Sequence, residues 1–137
     1  MKLRASKFVF VLLVLSLTSG YAVYAQQDSE KDVDKDPCAQ SPELRIAMAE
    51  EAERDQFTIT RVYFFGNQTV RDRDLRKKLK RSTEGDIFTL SGLEGGIKRM
   101  SKMVSIYPIT LENVALRLDR PRKDINMTFC VKERPKQ

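Results

Sequence analysis

The last third of the chain alternates. Val114, Leu116 and Leu118 are spaced by Ala115 and Arg117, and Ile125, Met127, Phe129 and Val131 are spaced by Asn126, Thr128 and Cys130. A period of two places successive side chains on opposite faces of an extended chain, so each run reads as a strand with one face buried and one not. The polar stretch Asp119-Arg120-Pro121-Arg122-Lys123-Asp124 joins them, and the two runs are predicted to form a hairpin. Cys130 then lies on the face opposite Phe129, away from the main core.

Upstream, Phe57–Phe65 (FTITRVYFF) is rich in aromatic and β-branched residues and reads as a first strand, ended by the turn chemistry of Gly66-Asn67. Thr69 is placed to cap a helix with apolar positions Val70, Leu75 and Leu79, and Asp72 and Asp74 sit early in it, where the helix dipole favours anions. Gly85 marks a loop. A second helix starts near Thr89 or Ser91 and carries Leu93, Ile97 and Met100 at spacings of four and three. Gly92, Gly95 and Gly96 weaken it, and close packing on the preceding helix is one reason to have them there. The element order is β-α-α-β-β, an α+β fold whose simplest form lays two helices on one face of a three-stranded sheet. Tyr63 and Phe65 then belong to the other, open face, either as a contact patch or as the floor beneath a further element.

The N-terminal part differs in character. Lys2, Arg4 and Lys7 precede an apolar run, Phe8–Leu17, and Val23-Tyr24-Ala25 supplies small residues at the positions a signal peptidase reads. The run falls short of the roughly 20 apolar residues a spanning helix needs, so residues 1–25 are expected to be a cleavable export signal rather than an anchor. Gln26–Asp36 (QQDSEKDVDKD) carries five acidic and two basic residues with one apolar residue, Val33, and residues 26–40 are expected to form an acidic flexible spacer. Ser41-Pro42-Glu43 is a helix start, and Leu44, Ala47, Met48 and Ala52 form a narrow apolar stripe on a short helix, about Pro42–Arg54, within residues 41–56.

Charge and composition exclude several functions. The formal net charge is +6. Three of those charges lie in the export signal, leaving 6 − 3 = +3 and a weak case for nucleic acid. With no histidine, the commonest general base and metal ligand is missing, and no nucleophile stands beside a base, so enzymatic activity is not expected. Two cysteines are too few for a structural zinc site. In an exported chain, Cys38 and Cys130 make an intramolecular disulfide the favoured expectation, against two free thiols or an intermolecular bridge. Such a bond is expected to draw the Pro42–Arg54 helix across the open sheet face. The basic cluster Arg71–Arg81 reads as a solvated helix face, and contact with an anionic membrane surface is the weaker alternative.

Taken in order, Val62 and Phe64 on the first strand, the Gly66-Asn67 turn, Leu75-Arg76 in the first helix, Gly85 followed by Phe88, Leu93 with Ile97 in the second helix, and the hairpin Val114–Val131 resemble the polypeptide-transport-associated (POTRA) domain family of outer-membrane barrel assembly and surface-antigen proteins. The resemblance covers residues 57–134 and leaves 135–137 as a tail. It implies a mixed sheet with the last strand in the centre. It also implies a non-enzymatic, chaperone-like module of the periplasm, or of the periplasmic face of the outer membrane, that binds polypeptides by strand addition. The implied partner site is the free edge strand Val114, Ala115, Leu116, Arg117, Leu118 and Asp119. The implied partners are unfolded or β-barrel outer-membrane polypeptides, with neither cofactor, nucleic acid nor small molecule. The second function class is a structural accessory subunit whose open sheet face docks on another envelope protein. A chain of 137 residues is expected to hold one such domain and no barrel.

Overall fold

The computed structural model describes residues 36–137. The expected export signal and most of the acidic spacer lie outside the described residues.

Helix α1 spans Pro42–Arg54, capped as the sequence indicates by the Ser41 side chain, which accepts from Leu44 N–H. Strand β1 (Thr58–Phe65) follows, then helix α2 (Asp72–Leu79) and helix α3 (Leu90–Met100). A short 3-10 turn, Leu111–Asn113, leads into strand β2 (Val114–Asp119), and strand β3 (Asp124–Cys130) completes the sheet. The sheet order is β1-β3-β2, with β3 parallel to β1 and antiparallel to β2, so the sheet is mixed and β3 is central.

One core forms between the sheet and the helices. Ile59, Val62, Val114, Leu116, Ile125, Met127 and Phe129 project from the strands onto Leu75, Leu79, Leu93, Ile97 and Met100 of the helices. One glycine of α3 serves the packing of the two helices. A Cβ at Gly96 would stand 2.9 Å from Leu79 Cδ2, so the glycine lets α3 lie close against α2. Gly66 ends β1 at φ +91°, and a Cβ there would collide with the carbonyl oxygen of Val131, whose N–H donates to Phe65 at 2.8 Å. A close approach of two backbones in the left-handed region leaves glycine as the fitting residue.

Three local expectations are corrected. First, α2 begins at Asp72 with no side-chain cap, because Thr69 is engaged elsewhere: its hydroxyl donates to Glu133. Second, of the expected stripe Leu44, Ala47, Met48 and Ala52, α1 buries only the Met48 and Ala52 end. Leu44 and Ile46 are about half exposed, and the inward residues are Arg45, Ala49 and Ala52, with Met48 partly buried. Small alanines let α1 approach β2, and Arg45 turns inward because it finds carbonyl partners there (below). Third, α1 does not cover the open face. Ala49 and Ala52 belong to the same core as Phe57 and Leu116, so the helix lies on the core side, while Tyr63 and Phe65 on the other face stay 47% and 57% exposed.

Glu133 closes the domain. Its carboxylate accepts from the N–H groups of Gln68, Thr69 and Val70 at 2.7–2.8 Å and from the Thr69 hydroxyl at 2.8 Å. The bond from Val70 N–H, opposed by partial desolvation and helped by the Thr69 and Gln68 donors, holds this carboxyl below its ordinary value of 4.5. A depressed folded-state value contributes stability above the unfolded value that is lost as pH falls through the folded one. We therefore expect Glu133→Gln to lower the Tm at pH 7, and the gap to wild type to close as the pH is brought well below 4.5. A gap that stayed constant in thermal melts from pH 7 to pH 2 would show that the charge is not what matters.

Candidate functional site

The sheet has two outer edges, and they are closed differently. Along β1 the chain's own loop does the work. Phe88 N–H donates to Phe57 O, Ile59 N–H to Asp86 O and Gly85 N–H to Ile59 O, all at 2.7–2.8 Å. Further along, Val62 N–H donates to Glu84 at 3.2 Å and Arg76 donates to Val62 O at 3.1 Å. Backbone pairing at Phe57 and Ile59, with side chains at Val62, leaves little for another chain on that stretch.

Along β2 the closure is made mainly by side chains. In an antiparallel ladder, alternate residues turn both peptide groups outward. The outward residues are Val114, Leu116 and Leu118. The Gln40 carboxamide accepts from Leu116 N–H at 3.0 Å and donates to Leu116 O at 2.9 Å. Arg45 Nε donates to Val114 O at 2.6 Å, and Val114 N–H returns to Leu111 O. The N–H and C=O of Leu118 have no partner among the described residues. The strand implied by the resemblance is thus at the edge, but two of its three outward positions already carry partners from the chain itself.

Arg45 is 3% exposed. Besides Val114, it donates to the carbonyls of Cys38 (3.3 Å), Gln40 (3.1 Å) and Glu112 (3.2 Å), and it meets no carboxylate among the described residues. It therefore gathers the segment before α1 and the turn before β2 around one guanidinium. The disulfide Cys38–Cys130 anchors the other end of that segment, with Cα atoms 6.2 Å apart. Since Cys130 points to the open face and Ala49 to the core, residues 38–45 form a strap that wraps over the β2 edge. Arg120 fixes the hairpin to α1 through a two-pronged bond to Glu51 (2.7 and 3.0 Å), which lowers the Glu51 pKa.

On the open face, Tyr63 and Phe65 stand beside Arg61, whose guanidinium donates to the Tyr63 hydroxyl at 3.3 Å. The basic helix keeps Arg73 and Lys77 exposed, as are Lys80 and Arg81 just after it, while Arg76 is tied to Glu84 at 2.9 Å and covers the Phe64 ring. Gly92 and Gly95 line a cleft of about 700 Å³ between α2 and α3 together with Lys80, Arg81 and Arg99, and Arg99 is occupied with the carbonyls that end α2. Both cysteine sulfurs are committed to the disulfide. No helix among the described residues is long and apolar enough to cross a membrane.

The fold is thus a three-stranded mixed sheet in β1-β3-β2 order, with three helices on its inner face and the β2–β3 hairpin at one edge. Residues 57–134 match the family described as POTRA, surface antigen variable number repeat, and the chain belongs to that family. No curated protein matches the sequence. POTRA domains are non-enzymatic protein-interaction modules of exported envelope proteins, with a place in outer-membrane assembly and secretion, which fits a protein partner for this chain.

Proposed function

We propose that this chain acts in the periplasm as a polypeptide-binding module that accepts an extended segment of an outer-membrane or secreted protein along β2. The observation that carries this reading is the Leu116 position. There a single carboxamide, Gln40, already makes the donor and acceptor contacts that a peptide group of an added strand would make. The neighbouring Leu118 offers the same pair of groups to any incoming chain. The opposite edge is closed by backbone at Phe57 and Ile59 and by Glu84 and Arg76 at Val62, whereas at Leu116 of β2 a single side chain has to yield. Main-chain pairing is tolerant of sequence, which suits a module that handles diverse unfolded clients.

A second reading rests on Tyr63 and Phe65: half-exposed aromatics on a sheet face fit rigid docking on an envelope partner through side chains. Amide hydrogen exchange with an unfolded β-barrel polypeptide separates the two. Strand addition slows exchange at Leu116 and Leu118. Binding that leaves β2 exchange unchanged and is abolished by Tyr63→Ala with Phe65→Ala would replace it with the docking reading.

A further inference from the structure

We infer that residues 38–45 are a built-in competitor for the β2 edge, so that a guest strand gains full access only by displacing Gln40. This inference rests on the strand-pairing reading above and concerns its regulation. A glutamine on a protein surface ordinarily bonds to water. Here the Gln40 carboxamide spends its oxygen on one residue 76 positions away and aims its nitrogen at the carbonyl of the same residue. That is the hydrogen-bond signature of a peptide group, delivered by a side chain.

The strap is held at both ends. Cys38 is bonded to Cys130 on the open face, and Arg45 is buried under the edge with its four carbonyl partners. A competitor tethered so closely acts at high effective concentration, which makes it a strong rival to a free peptide. Exchange of the Gln40 amide for a peptide amide replaces two neutral hydrogen bonds by two of the same kind, so the exchange is nearly balanced. The outcome is therefore set by the guest's further contacts. Leu118 supplies the first of them, since its N–H and C=O are open beside the strap. Pairing starts at Leu118 and proceeds to Leu116 as Gln40 leaves, while Val114 O stays with Arg45.

The population of the open strap scales the apparent affinity directly, because a site that is competent for a fraction of the time binds with its Kd divided by that fraction. Gln40→Ala removes the competitor while leaving Arg45 and the disulfide in place. The probe is a soluble decapeptide of alternating Val and Thr, titrated into oxidised full chain, with Kd from fluorescence and amide exchange recorded at β2. We expect Gln40→Ala to tighten binding roughly tenfold, with new protection at Leu116 and Leu118. Gln40→Glu, which keeps the side-chain length but sets a carboxylate against Leu116 O, should do the same, and it serves where the alanine variant does not melt cooperatively. Equal affinities in wild type and both variants, with β2 protected in all, would overturn the competitor and leave strand pairing standing. In that case the strap serves only to keep edges from associating. Failure of the peptide to protect β2 in any of the three proteins would overturn strand pairing itself.

Discussion

Replacing both Cys38 and Cys130 by serine is expected to cost about 2–5 kcal/mol of folding stability. The bond closes a loop of 92 residues, which is nearly the whole described domain, so the unfolded chain it constrains is large. Loop-closure entropy alone puts a ring of that size near the top of this range. For a domain of this size each kcal/mol moves Tm by several degrees, so the double serine variant should melt roughly 10–20 °C lower. The effect should divide unevenly. The core between the sheet and α2–α3 includes neither cysteine side chain and keeps its contacts. The strap and α1 lose one of their two anchors, and faster amide exchange in α1 should precede global unfolding. Thermal melts of the oxidised wild type, the reduced wild type and the double variant check this. Coincident melts of all three would mean that the strap is held by Arg45 and the core alone.

Much of this architecture is legible in the sequence for simple reasons. Alternation at Val114–Leu118 and Ile125–Val131 has one structural solution when one face is buried, and both strands form where the pattern places them. Ser41-Pro42 and Thr89 start helices because a cap is a local device, readable from a few residues. What is not legible is tertiary and polar. Gln40, Arg45 and Glu133 carry no periodic signal, since each side chain meets backbone groups brought near by folding from positions 63 to 76 residues away. Thr69 illustrates the consequence. Its type and position read as a cap, but a carboxylate near the far end of the chain captures its hydroxyl and two neighbouring amides, and the helix starts later. The partial occupation of the β2 edge is illegible for the same reason, because the occupant at Leu116 is a glutamine in a stretch whose composition speaks only of a spacer.

Arg45 is where these polar contacts concentrate, and its removal should be among the costliest single changes in the domain. Hydrophobic patterning assigns the buried stripe of α1 to Leu44 and its helical neighbours, whereas Leu44 is 47% exposed and Arg45 is 3% exposed. A buried guanidinium is tolerable here because four carbonyl oxygens surround it. Each is an acceptor that costs about 1–3 kcal/mol if left unmade, less where water can enter from the edge. We therefore expect Arg45→Ala to cost roughly 3 kcal/mol, and Arg45→Met, which restores the volume but not the donors, to recover little of it. Leu44→Ala, at an exposed position, should stay within about 0.5 kcal/mol. Urea denaturation decides the matter. The Arg45→Ala midpoint should fall by roughly 2 M with an unchanged slope, and Leu44→Ala should overlay wild type. The reverse order of effects would mean that α1 docks through its apolar stripe, and that the guanidinium merely fills space beside a strand edge that needs no cover.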